Sequence, residues 1–179
     1  MTIAITGATG NIGRATALSL IDSGVDDVRL LVRSAAKIPD ELKGLPHAVC
    51  TYADDESALA ALEGVDALFM VSAKESPRRV ADHRAFIDAA SRAGVGSVVY
   101  TSFLGAAPEA IFTHARDHFF TEQHIKASGV SWTFLRDSFY LEFFAELIAS
   151  GEIRGPAGDG ACAGVSRSDV ARVAAAVLA

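Results

Sequence analysis

The first fifteen residues constrain this chain more than any other stretch. An apolar run, Ile3-Ala4-Ile5, passes through Thr6 into GATGNIG, which spaces Gly7, Gly10 and Gly13 by three at the head of an amphipathic segment. A chain of this kind leaves a buried strand, reverses within a few residues and enters a helix whose first amides have no partner inside the helix. Glycine answers each demand. Gly7 supplies the positive φ of a tight turn, Gly10 clears a side chain where a ligand meets the backbone, and Gly13 lets the first helix lie close to the sheet. Unpaired amides and the helix dipole favour an anion, so this strand, turn and helix suit the diphosphate of a dinucleotide. Three glycines alone are a weak signal. Context strengthens it: the helix carries Ile12, Ala15 and Leu18 on one face, and about twenty residues further on a second apolar strand ends in a charged residue.

Strand-like and helix-like segments then alternate, the pattern of a parallel sheet covered by helices on both faces. Strands are expected at 3–6, 28–32, 48–52, 67–71, 97–101 and 131–135, with helices at 11–23, 57–63, 77–93 and 116–128. Gly24, Gly64, Gly94 and Gly129 close the helices. The fold class that follows is α/β, a Rossmann-type doubly wound parallel sheet. After Arg136 the pattern changes to an aromatic-rich helix at 139–149, a glycine-rich loop, and a last helix with Ser168 as its N-cap and Asp169 in its first turn. The chain is therefore divided into a dinucleotide-binding part, 1–136, and the start of a substrate-side lobe, 137–179, packed on the same domain. The last helix reaches Ala179 without a stop signal, so the lobe is expected to be abbreviated.

The 179 residues suit one domain, and with half of them apolar the chain is globular. A net charge of −6 without a block of like charges argues against a nucleic-acid footprint or an electrostatic membrane patch. No apolar run spans a bilayer, and the chain starts on a strand without a basic flank, so a cytoplasmic location and a small-molecule partner are expected. A homodimer is compatible with these features. Cys50 and Cys162 lack any motif spacing and read as reduced thiols. His114, His118 and Glu122 share one helical face, yet the His-Glu-x-x-His pattern and a fourth ligand are missing, so no metal is expected. The absence of a Gly-x-Ser-x-Gly elbow disfavours a hydrolase.

Several longer stretches carry a resemblance: GATGNIG, LLVRSAAK, LEGVDALFMVSA, RRVADHRAFIDAASRAGV, VVYTSFLGAA, and above all the order TE, then SG, then TFLRD. By these the chain resembles the short-chain dehydrogenase/reductase superfamily in its atypical, NmrA-like branch, and within it the NAD(P)H-binding proteins that include quinone oxidoreductase type 2. The resemblance implies a cofactor at the GATGNIG turn, with Thr9, Asn11 and Ile12 touching the pyrophosphate beside Gly7, Gly10 and Gly13. Arg33 stands where NAD-selecting proteins carry an acid, so with Ser34 and Lys37 it suits the 2′-phosphate of NADPH over NADH. Tyr52 and Ala53, ahead of Asp54 and Asp55, leave the adenine contact open.

Ser72 and Ala73 end the fourth strand and Thr101, Ser102 and Phe103 the fifth, at the edge where open sheets bind ligands. These residues are candidates to flank the ribose and nicotinamide. The superfamily's Tyr-x-x-x-Lys pair is missing, since Tyr52, Tyr100 and Tyr140 each lack a lysine four residues on. That demotes ketone and alcohol chemistry and leaves hydride transfer to a quinone-like acceptor, whose oxygens need no strong internal acid. Phe103, Phe139 and Tyr140 are candidates to hold the acceptor, and Ser102, His118 and Tyr140, with His114 beside them, to handle a proton. The alternative is a non-catalytic NAD(P)-sensing regulator. Arg136 and Asp137 read equally as a buried ion pair or as site residues, His118 and Glu122 as ties from their helix to nearby loops, and Arg167 and Asp169 as ties of the small lobe to the sheet.

Overall fold

The computed structural model describes residues 1–149, 151 and 158–179; residues 152–157 of the glycine-rich loop expected after the aromatic helix lie outside them. Six strands, β1 Ile3–Thr6, β2 Val28–Val32, β3 His47–Val49, β4 Ala67–Met70, β5 Ser97–Phe103 and β6 Ser131–Asp137, form one parallel sheet in the order β3-β2-β1-β4-β5-β6. The chain direction across the sheet reverses between β1 and β4, which makes their carboxyl ends the crevice where a ligand binds in such a fold. Helices α1 Asn11–Asp22, α2 Glu56–Leu62, α3 Arg79–Arg92, α4 Thr113–Ala127, α5 Leu141–Ala149 and α6 Arg167–Leu178 complete the chain.

The alternation of side chains along parallel strands needs apolar cover on both faces. Ile3, Ile5, Leu30, Phe69 and Val99 face α1 and α6, where Ala17, Leu20, Val170, Ala174 and Leu178 close one core. Ala4, Leu31, Leu68, Met70 and Val98 face the other way, onto Leu62, Phe86, Ile87 and Ile125 of α2, α3 and α4. The last helix is thus a layer of the sheet's own core. Gly24, Gly64, Gly94 and Gly129 all take positive φ where helices end. No helix among the described residues is long and apolar enough to cross a membrane.

Element ends depart from the sequence expectation where polar residues are involved. β5 and β6 each run two residues further, because Ser102 pairs with Arg136 and Phe103 with Asp137 in unbroken register. β3 stops at Val49, and α4 begins at Thr113 rather than at Arg116. The cap of α6 is Ser166, not Ser168: Ser166 Oγ accepts from the Asp169 N–H at 3.0 Å, and Ser168 sits in the first turn. Cys50 is buried and Cys162 exposed, both as free thiols.

Candidate active site

The turn after β1 behaves as the glycine spacing requires. Gly7 has φ +67°, and its carbonyl accepts from the Gly10 N–H at 2.8 Å. Gly10 is the N-cap of α1 and provides no side chain there, and the first helical bond runs from Arg14 N–H to Gly10 O. The amides of Asn11, Ile12 and Gly13 therefore open the helix toward the crevice. A Cβ on Gly13 would lie 2.5 Å from the Gly7 carbonyl oxygen and 2.6 Å from that of Thr6. The close approach that glycine permits here is between the helix and the turn's own backbone. Beside the turn, Thr9, Arg33, Ser34 and Lys37 line one cavity of about 280 Å³. Three cation and hydroxyl side chains expected at a 2′-phosphate thus converge with a residue of the glycine turn.

Across the crevice β4 ends, and the backbone of residues 71–73 has run out of strand partners. Its amides donate to side chains instead: Val71 to Thr6 Oγ1 at 2.8 Å, Ser72 to Thr101 Oγ1 at 2.8 Å, and Ala73 to His83 Nε2 at 2.9 Å. Tyr52, stacked on Phe86, donates its hydroxyl to the Val71 carbonyl, and Arg79 Nε donates to the Ala73 carbonyl at 2.8 Å. The same hydroxyl lies 2.6 Å from Thr6 Oγ1, so Tyr52 links the end of β1 to the exit of β4.

Behind this edge runs a buried polar chain. Arg79, 2% exposed, meets Asp117 at 3.3 Å and donates to His118 Nε2 at 2.9 Å. An arginine only donates, so His118 carries its hydrogen on Nδ1, 2.9 Å from the Tyr100 hydroxyl. By the same logic His83, which accepts at Nε2, donates from Nδ1 to Thr121 Oγ1 at 3.0 Å. Both imidazoles are held neutral. Burial first and the Arg79 charge second push His83 down to about 3, and the same causes with His83 and His114 push His118 down to about 2.

A second buried anchor lies one turn further along α4. Glu122 is fully buried, accepts from Ser102 Oγ at 2.6 Å, and takes a two-point bond from Arg136 at 2.9 and 2.6 Å. The ion pair of Arg136 is therefore with Glu122 and not with Asp137. Breaking a buried pair strands its partner, but the Arg136 side chain is 46% exposed and can rehydrate. Replacing Glu122 with alanine is expected to cost about 2–3 kcal/mol, toward the low end for such pairs, in urea unfolding.

Phe103 at the end of β5 joins Phe112 and Phe139 in a wall of ring contacts 5.3–5.9 Å between centroids, and it also lies over His118. Phe112 and Phe139 keep about two fifths of their surface exposed. Tyr140 packs instead into the core beneath α1 and α6, under the Arg167 guanidinium, with its hydroxyl toward Asp137. Burial raises the Asp137 carboxyl to about 6, against the opposing bond from Tyr140.

With this geometry in place, the chain can be set beside known proteins. Residues 7–179 match the protein family described as NAD(P)H-binding. The chain belongs to that family. It is 36% identical to quinone oxidoreductase 2 of Escherichia coli (strain K12) over 98% of this chain and 63% of that protein. It is 32% identical to an NAD(P)H azoreductase of Xenophilus azovorans, again over 98% and 63%. Among solved structures, the NADPH-dependent quinone oxidoreductase of Escherichia coli complexed with NADPH superimposes with a TM-score of 0.90 at 35% identity, covering 98% of this chain and 64% of that one. The Citrobacter sp. triphenylmethane reductase complexed with NADP(H) gives 0.88 at 31%, covering 99% and 65%. The chain spans less than two thirds of the length of each.

Within this NAD(P)H-binding scaffold, the expected residues fall into two groups. Gly7, Thr9, Gly10, Asn11, Ile12, Gly13 and Arg33 gather on the β1–α1–β2 side of the crevice, and Ser72, Ala73, Thr101, Ser102 and Phe103 on the β4–β5 side. Ser102 and His118 have hydrogens committed to Glu122 and Tyr100. His118 and Glu122 tie α4 to α3 and to two strands rather than to loops. Among the described residues no three His, Cys, Asp or Glu side chains form a metal cluster; His114 turns to Glu75. Arg167 ties α6 to Glu142 and Glu146 of α5, while Asp169 serves the α6 cap. Phe112, Arg79 and His83 are the site residues that sequence reasoning missed. Arg79 and His83 do carry a signal, an i, i+4 pair at the start of a helix that follows a strand end.

Proposed function

We propose that this chain binds NADPH across the β1–β4 crevice and serves a reductase of flat, quinone-like acceptors. The cavity of Thr9, Arg33, Ser34 and Lys37 beside a glycine turn with open amides carries this reading. Guanidinium and ammonium groups there favour a 2′-phosphate by charge-assisted hydrogen bonds and leave NADH without that gain. The steric demand at Gly13 and the bare N-cap at Gly10 fit a diphosphate held by peptide nitrogens. The names of the relatives, a quinone oxidoreductase and an azoreductase, support the acceptor class.

Residues 1–136 carry the cofactor, and residues from 137 onward open the acceptor side with Phe139. When bound, the nicotinamide supplies a hydride, and the acceptor takes it with a proton to give the reduced, protonated product. The Phe103–Phe112–Phe139 wall offers such an acceptor an apolar face and excludes water on that side. Because Ser102 and His118 have their hydrogens committed, the proton comes from solvent or from a weak donor. The same commitment favours a second reading, an NAD(P)-sensing regulator that binds without turnover.

Calorimetry with NADPH and NADH, followed by NADPH oxidation against a panel of quinones, separates these readings. Arg33→Asp is expected to weaken NADPH about a hundredfold and NADH less than about threefold, the worth of two charge-assisted bonds. Equal losses would remove the 2′-phosphate assignment. Binding without oxidation of NADPH across the panel would retire the reductase and leave the sensor.

A further inference from the structure

The exit of β4 is built unlike an ordinary loop. Three consecutive amides, from Val71 to Ala73, donate to side chains of three different elements, β1, β5 and α3. Ala73 is held twice, its N–H by His83 and its carbonyl by Arg79, so the two peptide groups that flank one residue are gripped by side chains four apart on α3. Neither grip is a surface contact: His83 is fully buried and Arg79 is 2% exposed. Both are braced from behind by α4, Arg79 by Asp117 and His118, and His83 by Thr121. Burying an arginine and an imidazole is costly unless their polar atoms are partnered, and here one bond from each holds the same backbone unit, Ala73, while the rest go to α4.

That unit borders the crevice. A Cβ on Gly7 would meet Val71 Cβ at 3.0 Å, so the β4 exit abuts the turn from the side opposite Arg33. We propose that Arg79 and His83 are positioning residues: they fix the Ser72–Ala73 backbone as the surface that receives the ribose and nicotinamide half of the cofactor. The inference rests on the cofactor reading above and assigns it a further determinant. The adenylate half, at Thr9, Arg33 and Lys37, lies on the other side of the turn and does not depend on the clamp. Its loss would therefore weaken one half of the dinucleotide and spare the other.

The two halves can be measured apart. NADPH and the fragment 2′,5′-ADP are titrated by calorimetry into the wild-type chain and into Arg79→Lys, His83→Asn and His83→Gln. A glutamine oxygen reaches the place of imidazole Nε2 and can take the Ala73 N–H; an asparagine oxygen falls short, near Nδ1. His83→Asn and Arg79→Lys are expected to lose about tenfold or more in NADPH affinity, the worth of one buried hydrogen bond, with 2′,5′-ADP unchanged within about twofold. His83→Gln recovers most of the NADPH affinity. Should Arg79→Lys fail to fold, the glutamine and asparagine pair, matched by thermal melting, carries the comparison. NADPH affinity that is unchanged, or that falls in parallel with 2′,5′-ADP, or that fails to separate glutamine from asparagine, overturns the proposal. A wild-type chain that binds neither ligand overturns the cofactor reading and this inference with it.

Discussion

Gly13→Ala is expected to abolish nucleotide binding and to lower unfolding stability by about 2–3 kcal/mol, the upper range for a side chain forced into packed space. The added methyl would sit 2.5 Å from Gly7 O, 2.6 Å from Gly7 C and 2.6 Å from Thr6 O, all backbone atoms. None of them can retreat. The Gly7 carbonyl is held by the Gly10 N–H, and Thr6 lies in β1 between two paired strands. Relief comes only by moving the start of α1 outward, which withdraws the amides of Asn11 and Ile12 from the crevice. Gly10→Ala provides the contrast. Its Cβ would touch only Gly7 O, at 3.3 Å, which a shift of a few tenths of an ångström absorbs. That variant is expected to unfold near the wild-type urea midpoint yet bind NADPH at least about tenfold more weakly, because the space it fills is the ligand's. Urea midpoints and calorimetry on both variants check the pair. A Gly13→Ala protein with wild-type stability and affinity would show that the turn is not the rigid cradle described.

The features that sequence carried were those written in local pattern. Apolar runs separated by amphipathic segments specify a covered parallel sheet, and the order of β1 between β2 and β4 follows from that architecture. Arg33, singled out by its place at the end of the second strand, lines the cavity beside the glycine turn with Ser34 and Lys37. What stayed hidden was written in tertiary contact. RRVADHR reads as a solvated helix start, yet Arg79 and His83 are among the most buried polar side chains, since only in the fold does an unpaired strand exit lie beside them. The last residues of β5 and β6 look like loop because Ser102, Arg136 and Asp137 are polar; Glu122, from another element, satisfies two of them and lets the ladder continue. At α6, Ser166 and Ser168 compete for one cap. Ser166 wins because Asp169 stands three residues on: its N–H donates to Ser166 Oγ, which in turn donates to the Asp169 carboxylate at 2.8 Å. Phe112 stands in an irregular segment with no periodicity to announce it.

Acid is expected to destabilise this protein from about pH 6.5 downward, above the range in which ordinary carboxylates are protonated. The cause is the pair His83 and His118, held near 3 and 2 by burial and by the Arg79 charge. In the unfolded chain both titrate near 6.5, so below that value the unfolded state binds more protons and stability falls with pH until the folded values are reached. By pH 5 each imidazole removes about 2 kcal/mol, and each further unit about 1.4 kcal/mol more. Asp137 works in the opposite direction. Its folded value of about 6 lies above the unfolded one, so the cost of its charge, present at neutral pH, is relieved as pH falls through 6 toward 4. It is one partly solvated carboxyl against two buried rings, and the rings prevail. Urea midpoints from pH 8 to pH 4 should hold nearly level to about pH 7 and then drop steeply. His83→Gln, which keeps the acceptor but cannot be protonated, should remove most of the slope, because it leaves one ring opposed by Asp137. A level profile down to pH 5 would mean that one of the rings is free to take a proton in the fold. That freedom is incompatible with the bonds around them, because a proton on His83 Nε2 would displace the Ala73 amide, and one on His118 Nε2 would face the guanidinium of Arg79 directly.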